Sequence, residues 1–300
     1  MDFSIKEFKE TIKLLPVTQS VLIRGDHGIG KTGVVASLGS EFNLKVVPFM
    51  SAYITGGDLS GVPEIVEDTF TKFFPLESFY ECMKNPRILF FDEINRGTRD
   101  VTNALLQIIL ERRTMHKNSE LHPETRVLAA INDSSVYATS QLDPALLDRF
   151  FVVDLRPTKQ EWIAHVRSIP GFSKYIADFH EDQENSWLEM DSKIDASEIR
   201  SGKRLPSRRS WTKLGQILGK YEETNKNLIK EKKYPYSIPV EAFQLLCTGF
   251  VGDHATQLIL EYFKDKKYES EFNHNDILNY KSKRKEIQNA SPEQKIQFTV

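Results

Sequence analysis

Eight residues decide how this sequence folds, and they are Gly25-Asp26-His27-Gly28-Ile29-Gly30-Lys31-Thr32. The stretch fits the pattern G-x-x-x-x-G-K-[ST], and it lies between a predicted apolar strand at residues 20–24 and a predicted helix at residues 31–39. Glycines at these positions let backbone N–H groups point inward, where they can surround phosphate oxygens. The pattern predicts a phosphate-binding loop, and the alternative is a glycine turn that carries Lys-Thr by chance.

The residue types of this loop suit a nucleoside triphosphate with a divalent cation. The Lys31 ammonium can reach the β- and γ-phosphates, and the Thr32 hydroxyl is a suitable ligand for Mg²⁺. The positive end of the following helix adds to the attraction for phosphate. We therefore predict ATP and Mg²⁺ as cofactors, bound by residues 25–32. His27 occupies a variable position of the pattern and is given no catalytic role.

A second motif ends a predicted strand at residues 87–92. The apolar run Ile88-Leu89-Phe90-Phe91 is followed by the acidic pair Asp92 and Glu93. Asp92 would hold Mg²⁺ directly or through water, and Glu93 would take a proton from the attacking water. The alternative is a strand that ends in two solvated acids. Together with the phosphate loop, the Asp-Glu pair predicts hydrolysis of the nucleotide rather than its storage.

Strands and helices alternate in the first half of the chain. Apolar runs predict five strands, at residues 20–24, 44–49, 87–92, 126–131 and 150–155. Alternation with helices implies parallel pairing, and unbroken apolar strands imply a sheet covered on both faces. The predicted fold class is α/β, a P-loop core with a parallel five-stranded sheet flanked by helices.

The pattern changes after Arg156-Pro157, where helical periodicity dominates. We therefore predict two domains: a nucleotide-binding α/β domain at residues 1–156 and a smaller, mainly helical lid at residues 157–300. The lid is expected to contain a polar insertion at about residues 182–204 and a charged tail from Tyr280. Its predicted helices cover residues 159–168, 210–223 and 239–262.

Composition argues against several other classes. The 300 residues carry a formal net charge of −2, without the basic excess typical of a dedicated duplex-DNA binder. No apolar run is long enough to cross a bilayer, and the first residues lack the pattern of a secretion signal. Cys82 and Cys247 match no metal spacing. We expect two reduced thiols in a cytoplasmic protein, or in the host cytoplasm if a bacteriophage encodes it.

Several motifs, in the expected order, resemble the MoxR-type ATPases of the dynein-related AAA+ subfamily. Residues 91–96, Phe-Asp-Glu-Ile-Asn-Arg, resemble the D-E-I-N-R signature of that family. The resemblance covers most of residues 20–155, and beyond residue 157 only Ser207-Arg208-Arg209-Ser210-Trp211 is similar. The other matching stretches are residues 58–61, 103–113 and 143–150.

The resemblance implies roles for individual residues. Asn132 corresponds to the sensor-1 residue that orients the lytic water, with an ordinary turn Asn as the alternative. Arg149 corresponds to the arginine finger that enters the neighbouring subunit's site, with a helix-capping surface Arg as the alternative. Arg209 corresponds to the sensor-2 arginine of the lid. Because Arg208 stands where the family has proline, the choice between Arg208 and Arg209 stays open.

Two segments depart from the family pattern. Thr98 follows Gly97 where the family has Ala and Pro, and Thr98 is expected to cap the next helix. Residues 114–124 differ from the family's glycine-bearing hairpin. We expect residues 61–75, with Phe70, Phe73 and Phe74, to be a loop insertion, in which the aromatic side chains either pack or face the pore of a ring.

The resemblance implies a homo-oligomeric ring, a hexamer, that acts on protein complexes in a chaperone-like manner. A protein with a von Willebrand factor A domain is the implied partner. A nucleic-acid motor or loader, or a GTP-driven restriction motor subunit, is the less favoured alternative. A nucleotide-regulated scaffold that barely turns over is the third. The nucleic-acid alternative is kept open by basic clusters at residues 203–204, 208–209, 232–233 and 281–285.

Overall fold

A computed structural model describes residues 2–66, 70–113, 119–132, 144–183, 188, 204–224 and 240–265. The predicted insertion at residues 182–204 and the charged tail lie almost entirely outside these residues. Lys203 and the basic clusters at residues 232–233 and 281–285 also lie outside the described residues.

The strands are β1 (Asp2–Phe3), β2 (Val21–Gly25), β3 (Lys45–Met50), β4 (Val62–Val66), β5 (Phe70–Phe74), β6 (Arg87–Asp92), β7 (Arg126–Asn132) and β8 (Phe151–Leu155).

Helices connect these strands and make up the second half of the described chain. A short 3₁₀ turn, Ile94–Arg96, follows β6. The α-helices are α1 (Ile5–Leu14), α2 (Lys31–Phe42), α3 (Gly56–Ser60), α4 (Glu77–Lys84), α5 (Arg99–Glu111), α6 (Pro144–Leu147), α7 (Lys159–Ser168), α8 (Lys174–Asp182), α9 (Arg208–Thr224) and α10 (Val240–Asp265).

The main sheet is parallel and has the strand order β1-β8-β2-β7-β6-β3. All five predicted strands are present, but the prediction of a five-stranded sheet was wrong by one edge strand. That strand, β1, pairs with β8 through Asp2↔Asp154 and Phe3↔Leu155. Two residues are too few to show a period in the sequence, so only the neighbouring strand defines β1.

Both faces of the sheet are covered, as the apolar strands predict. In β6, Leu89 and Phe91 join one buried cluster, whereas Ile88 and Phe90 join the other on the opposite face. Successive side chains of a strand point to opposite faces, so a strand buried on both sides is apolar throughout. This packing fixes the carboxyl ends of β2, β6 and β7 side by side.

Within residues 61–75, predicted as a loop, strands β4 and β5 pair antiparallel, with Val62 opposite Phe74 and Val66 opposite Phe70. Both strands are largely exposed, so the sequence shows no alternation that would predict them. Phe70 and Phe74 are 53% and 41% exposed.

The helices after β8 enclose a third apolar cluster, made by residues between Trp162 and Tyr262. Trp211 and Phe179 lie at its centre and are 0% and 1% exposed.

Cys82 and Cys247 are free, buried thiols, and burial raises the pKa of each to about 12. None of the helices in the described part of the chain is both long and apolar enough to cross a membrane.

Candidate functional site

The predicted phosphate loop lies between the carboxyl end of β2 and the first turn of α2. Gly28 and Gly30 have φ angles of +83° and +103°, which residues with a Cβ rarely adopt. A Cβ on Gly28 would lie 3.3 Å from Ser207 Cβ at the start of α9. Ile29 is buried in the core, so it can contribute only backbone groups to a ligand. The turn therefore needs both glycines for its backbone conformation, and Gly28 also for its close contact with Ser207.

Lys31 is 6% exposed, and its ammonium donates three hydrogen bonds. The acceptors are Gly25 O at 2.7 Å, Asp26 O at 2.9 Å and Asn132 Oδ1 at 2.7 Å. Burial lowers the pKa of Lys31 to about 8, while the carboxylates of Asp92, Asp26 and Glu93 oppose this shift. Lys31 is therefore a buried cation at neutral pH, held at the centre of the loop.

Thr32 and Asp92 meet at the base of the loop. Thr32 Oγ1 donates to Asp92 Oδ2 at 2.8 Å, and the other carboxylate oxygen of Asp92 accepts from the Glu93 N–H at 3.0 Å. Thr32 lies in the first turn of α2 and Asp92 ends β6, and both elements meet at the carboxyl edge of the sheet, which explains why positions 60 residues apart come into contact. A hydroxyl and a carboxylate oxygen side by side are hard ligands of the kind that Mg²⁺ prefers.

Glu93 is held by two partners. Its Oε1 accepts from Asn132 Nδ2 at 2.8 Å, and its Oε2 is 3.2 Å from Arg96 Nη1. The backbone of Glu93 is left-handed, with φ +53°, and this turn directs the chain from β6 into the 3₁₀ helix. Asn132 therefore bridges Lys31 and Glu93 with one carboxamide, and Asn95 Nδ2 donates to its backbone carbonyl at 3.3 Å.

The two candidate arginines, at the start of α9, point in different directions. Arg209 Nη1 lies 3.4 Å from His27 Nε2, so Arg209 faces the phosphate loop. Arg208 is 7% exposed and turns away, donating to the carbonyl oxygens of Pro157 and Thr158. Burial lowers the pKa of His27, and the positive charges of Arg209 and Lys31 lower it further.

Arg149 is not brought to this site. It follows α6 and precedes β8, and its carbonyl oxygen accepts from Gln19 Nε2 at 3.3 Å. Because β2 and β8 are parallel with Val21 opposite Phe151, Arg149 lies at the amino-terminal edge of the sheet. The phosphate loop begins at the other edge, about 13 Å away at about 3.3 Å per residue along β2. Arg149 therefore lies at the edge of the sheet opposite the phosphate loop of its own chain.

An ion pair that the sequence does not predict joins the loop to the chain after β8. Arg156 Nη1 lies 3.1 Å from Asp26 Oδ2, and the Arg156 N–H donates to Phe3 O at 2.7 Å. No motif marks this pair, because it depends on how β1, β2 and β8 align.

This sheet order and loop define an AAA+ P-loop fold. Residues 20–150 match the family model described as an AAA domain of the dynein-related subfamily. The match covers the strands and loops that carry Lys31, Asp92, Glu93 and Asn132. No curated protein matches the chain.

Solved structures give more distant likenesses. A Thermotoga maritima RuvB mutant is 16% identical, with a TM-score of 0.43 over 82% of this chain and 66% of that one. NtrX from Brucella abortus, solved in complex with ADP, is 15% identical, with a TM-score of 0.46 over 85% and 63%. A Cytophaga hutchinsonii structure is 19% identical, with a TM-score of 0.41 over 84% and 88%. This chain thus spans slightly less than two thirds of the RuvB and NtrX chains.

Proposed function

We propose that this protein is a Mg²⁺-dependent ATPase that works as a MoxR-like ring and remodels a protein partner. The observation that carries the proposal is the contact of Thr32 Oγ1 with Asp92 Oδ2 at 2.8 Å. It brings together two oxygen ligands, one from the residue that follows Lys31 and one from the residue that precedes the candidate base Glu93. A fold shared with other proteins does not establish activity, but this donor set fits a metal-bound triphosphate.

Each residue of the site has a defined task in hydrolysis. Lys31 and the loop N–H groups bind the phosphates, and Thr32 and Asp92 hold the Mg²⁺, which neutralises charge on the phosphate oxygens. Glu93 accepts a proton from the attacking water. Asn132 fixes Glu93 through its Nδ2 and links it to Lys31 through its Oδ1. Asn132 therefore couples the position of the base to the group that contacts the γ-phosphate.

A ring supplies the charge that one subunit lacks. Arg149 lies at the sheet edge opposite its own loop, so it acts in a neighbouring subunit's site in this proposal. There it stabilises the negative charge that develops on the transferred phosphoryl group. Arg209 supplies a second positive charge from the lid of the same subunit. We propose a hexamer, in which each site is completed by the next subunit.

Remodelling of a protein complex is the proposed use of this ATP hydrolysis, with a von Willebrand factor A domain protein as the partner. A nucleic-acid motor is less favoured. One of the basic clusters that suggest it is Arg208-Arg209. Arg208 donates to the carbonyl oxygens of residues 157 and 158, and Arg209 faces the phosphate loop. Addition of DNA or RNA should leave ATP turnover unchanged, and GTP should not replace ATP. Stimulation by nucleic acid would instead favour the motor.

A subunit-mixing experiment tests shared sites. Glu93→Gln and Arg149→Ala subunits should each be nearly inactive, because each lacks one part of every site. Mixed rings should regain part of the wild-type activity, since some sites then combine an intact Glu93 with an intact Arg149. Rates that are only the sum of the two separate proteins would contradict the shared-site ring.

A further inference from the structure

Arg208 is a buried arginine at the first residue of α9. Its Nη1 donates to Thr158 O at 2.9 Å and its Nη2 to Pro157 O at 2.6 Å. A guanidinium is costly to bury unless acceptors match its fork of donors. Two successive carbonyl oxygens provide that match. They belong to residues 156–158, here named the connecting segment, which joins β8 to α7.

The connecting segment is held from the other side by the phosphate-binding half. Arg156 pairs with Asp26 of the phosphate loop, and its N–H donates to β1. Thr158 caps α7, where Glu161 accepts from the Thr158 N–H at 2.9 Å and from the Lys6 N–H at 2.9 Å. Arg208 therefore ties α9 to a segment whose position is already fixed relative to the phosphate loop.

The first turn of α9 sends its two arginines in different directions. Ser207 Oγ accepts from the Ser210 N–H at 3.2 Å, and the Ser207 N–H donates to Ser210 Oγ at 2.9 Å. These reciprocal bonds fix the start of the helix, as a capping box does. Successive helical residues project about 100° apart. With Arg208 fixed on the connecting segment, Arg209 is left directed at His27 of the phosphate loop.

We infer that Arg208 is a positioning residue: it locks α9 onto the connecting segment so that Arg209 faces the nucleotide site. This inference rests on the proposed ATPase function. Arg208 does not touch the nucleotide in this account and acts only through the orientation of its neighbour.

Arg208→Pro is the most discriminating variant. Proline is favoured at the first residue of a helix, so the substitution keeps the start of α9 while removing both donors. Arg208→Lys retains a cation that can serve the same carbonyl oxygens in part. Arg167→Met is the matched control, because Arg167 is an exposed lid arginine that pairs with Asp178 and Glu181 on its own domain.

We expect Arg208→Pro to lower kcat by about 10-fold to 10²-fold, the size of effect that a misplaced catalytic group produces. KM should change much less, Arg208→Lys should recover part of kcat, and Arg167→Met should match the wild type. In an Arg209→Ala background, Arg208→Pro should cost no more than about twofold, because the residue it positions is gone. Effects that multiply in the double variant would overturn the inference, as would an unchanged kcat.

Hydrogen exchange without nucleotide separates this inference from the proposed function. In Arg208→Pro, the Ser210 and Trp211 amides, which donate to Ser207 at the start of α9, should lose protection, while those of α8 keep it. Equal loss across the lid would indicate a merely structural role and would overturn the inference, as would no loss. If the wild type fails to hydrolyse ATP, the proposed function fails, and the exchange pattern still decides the role of Arg208.

Discussion

The buried polar residues of the phosphate site and one buried polar residue of the second half, His180, are accommodated in opposite ways. In the sheet domain, Lys31, Asp92 and Asn132 are each under 10% exposed, and each is hydrogen-bonded to another residue of the site. In α8, His180 is fully buried, and neither ring nitrogen has a hydrogen-bond partner among the described residues. Its neighbours are the rings of Trp162 and Trp211, which it meets edge-on.

Burial lowers the pKa of both Lys31 and His180, but their surroundings differ. Carboxylates oppose the shift at Lys31, whereas the positive charges of Lys159 and Arg208 add to it at His180. Lys31 is thus kept as a cation, and His180 is kept neutral. The contrast indicates that the carboxylates around Lys31 favour its charged form, whereas the surroundings of His180 favour its neutral form.

The largest effect expected is from Arg149→Ala. If Arg149 completes a neighbour's site, turnover by assembled rings should fall by about 10³-fold to 10⁵-fold. ATP affinity should change little, since the residue lies at the far edge of its own sheet. Steady-state kinetics at a ring-forming concentration measure this, with exposed Arg99→Ala as the control. Wild-type turnover by Arg149→Ala rings would contradict the assignment.

Glu93→Gln should lower turnover by about 10²-fold to 10⁴-fold, because the amide cannot accept the proton of the attacking water. Gln keeps the length of the side chain and an oxygen that can accept from Asn132, so ATP binding should persist. Single-turnover kinetics and equilibrium ATP binding separate the two effects. Exposed Glu77→Gln should behave as the wild type, and equal loss of binding and turnover in Glu93→Gln would refute a purely catalytic role.

Trp211→Ala should destabilise the lid by about 3–5 kcal/mol, because it empties the centre of the third apolar cluster. Urea unfolding followed by hydrogen exchange should localise this loss to α7–α10 and leave the main sheet protected. Ile217→Ala on the same helix is the control, since Ile217 is 41% exposed and should cost about 0.5 kcal/mol or less. Equal loss of protection in the sheet would show that the two halves share one core.

The smallest expected effect is on how the free energy of unfolding depends on pH. The pKa of His180 in the folded protein lies well below its usual 6.5, so the unfolded chain binds more protons at lower pH. The free energy of unfolding should therefore fall as pH drops below about 6.5, by up to about 1.4 kcal/mol per pH unit. His180→Leu should remove this part of the slope, whereas exposed His165→Gln should keep it. An unchanged slope in His180→Leu would assign the acid sensitivity to other groups.

The same contrast explains what the sequence could predict. Strand β6 and helix α7 begin and end where the apolar pattern places them, and Thr98 caps α5 as expected. The loop residues and Asp92 also meet as predicted, since parallel strands bring their carboxyl ends to one edge. The exposed hairpin and β1 had no such signal. The directions of Arg208 and Arg209 depend on how the lid sits against the connecting segment, and neighbouring residues in a motif do not encode that.

The most direct test of the central claim is a Mg²⁺ titration of ATP turnover and ATP binding, in the wild type and in Asp92→Asn. The substitution preserves the shape of the side chain and removes the carboxylate charge that Thr32 contacts. We predict that the wild type shows Mg²⁺-dependent turnover and that Asp92→Asn needs at least about tenfold more Mg²⁺ to reach half of its own maximum. Identical titration curves for the two proteins would contradict a metal held jointly by Thr32 and Asp92.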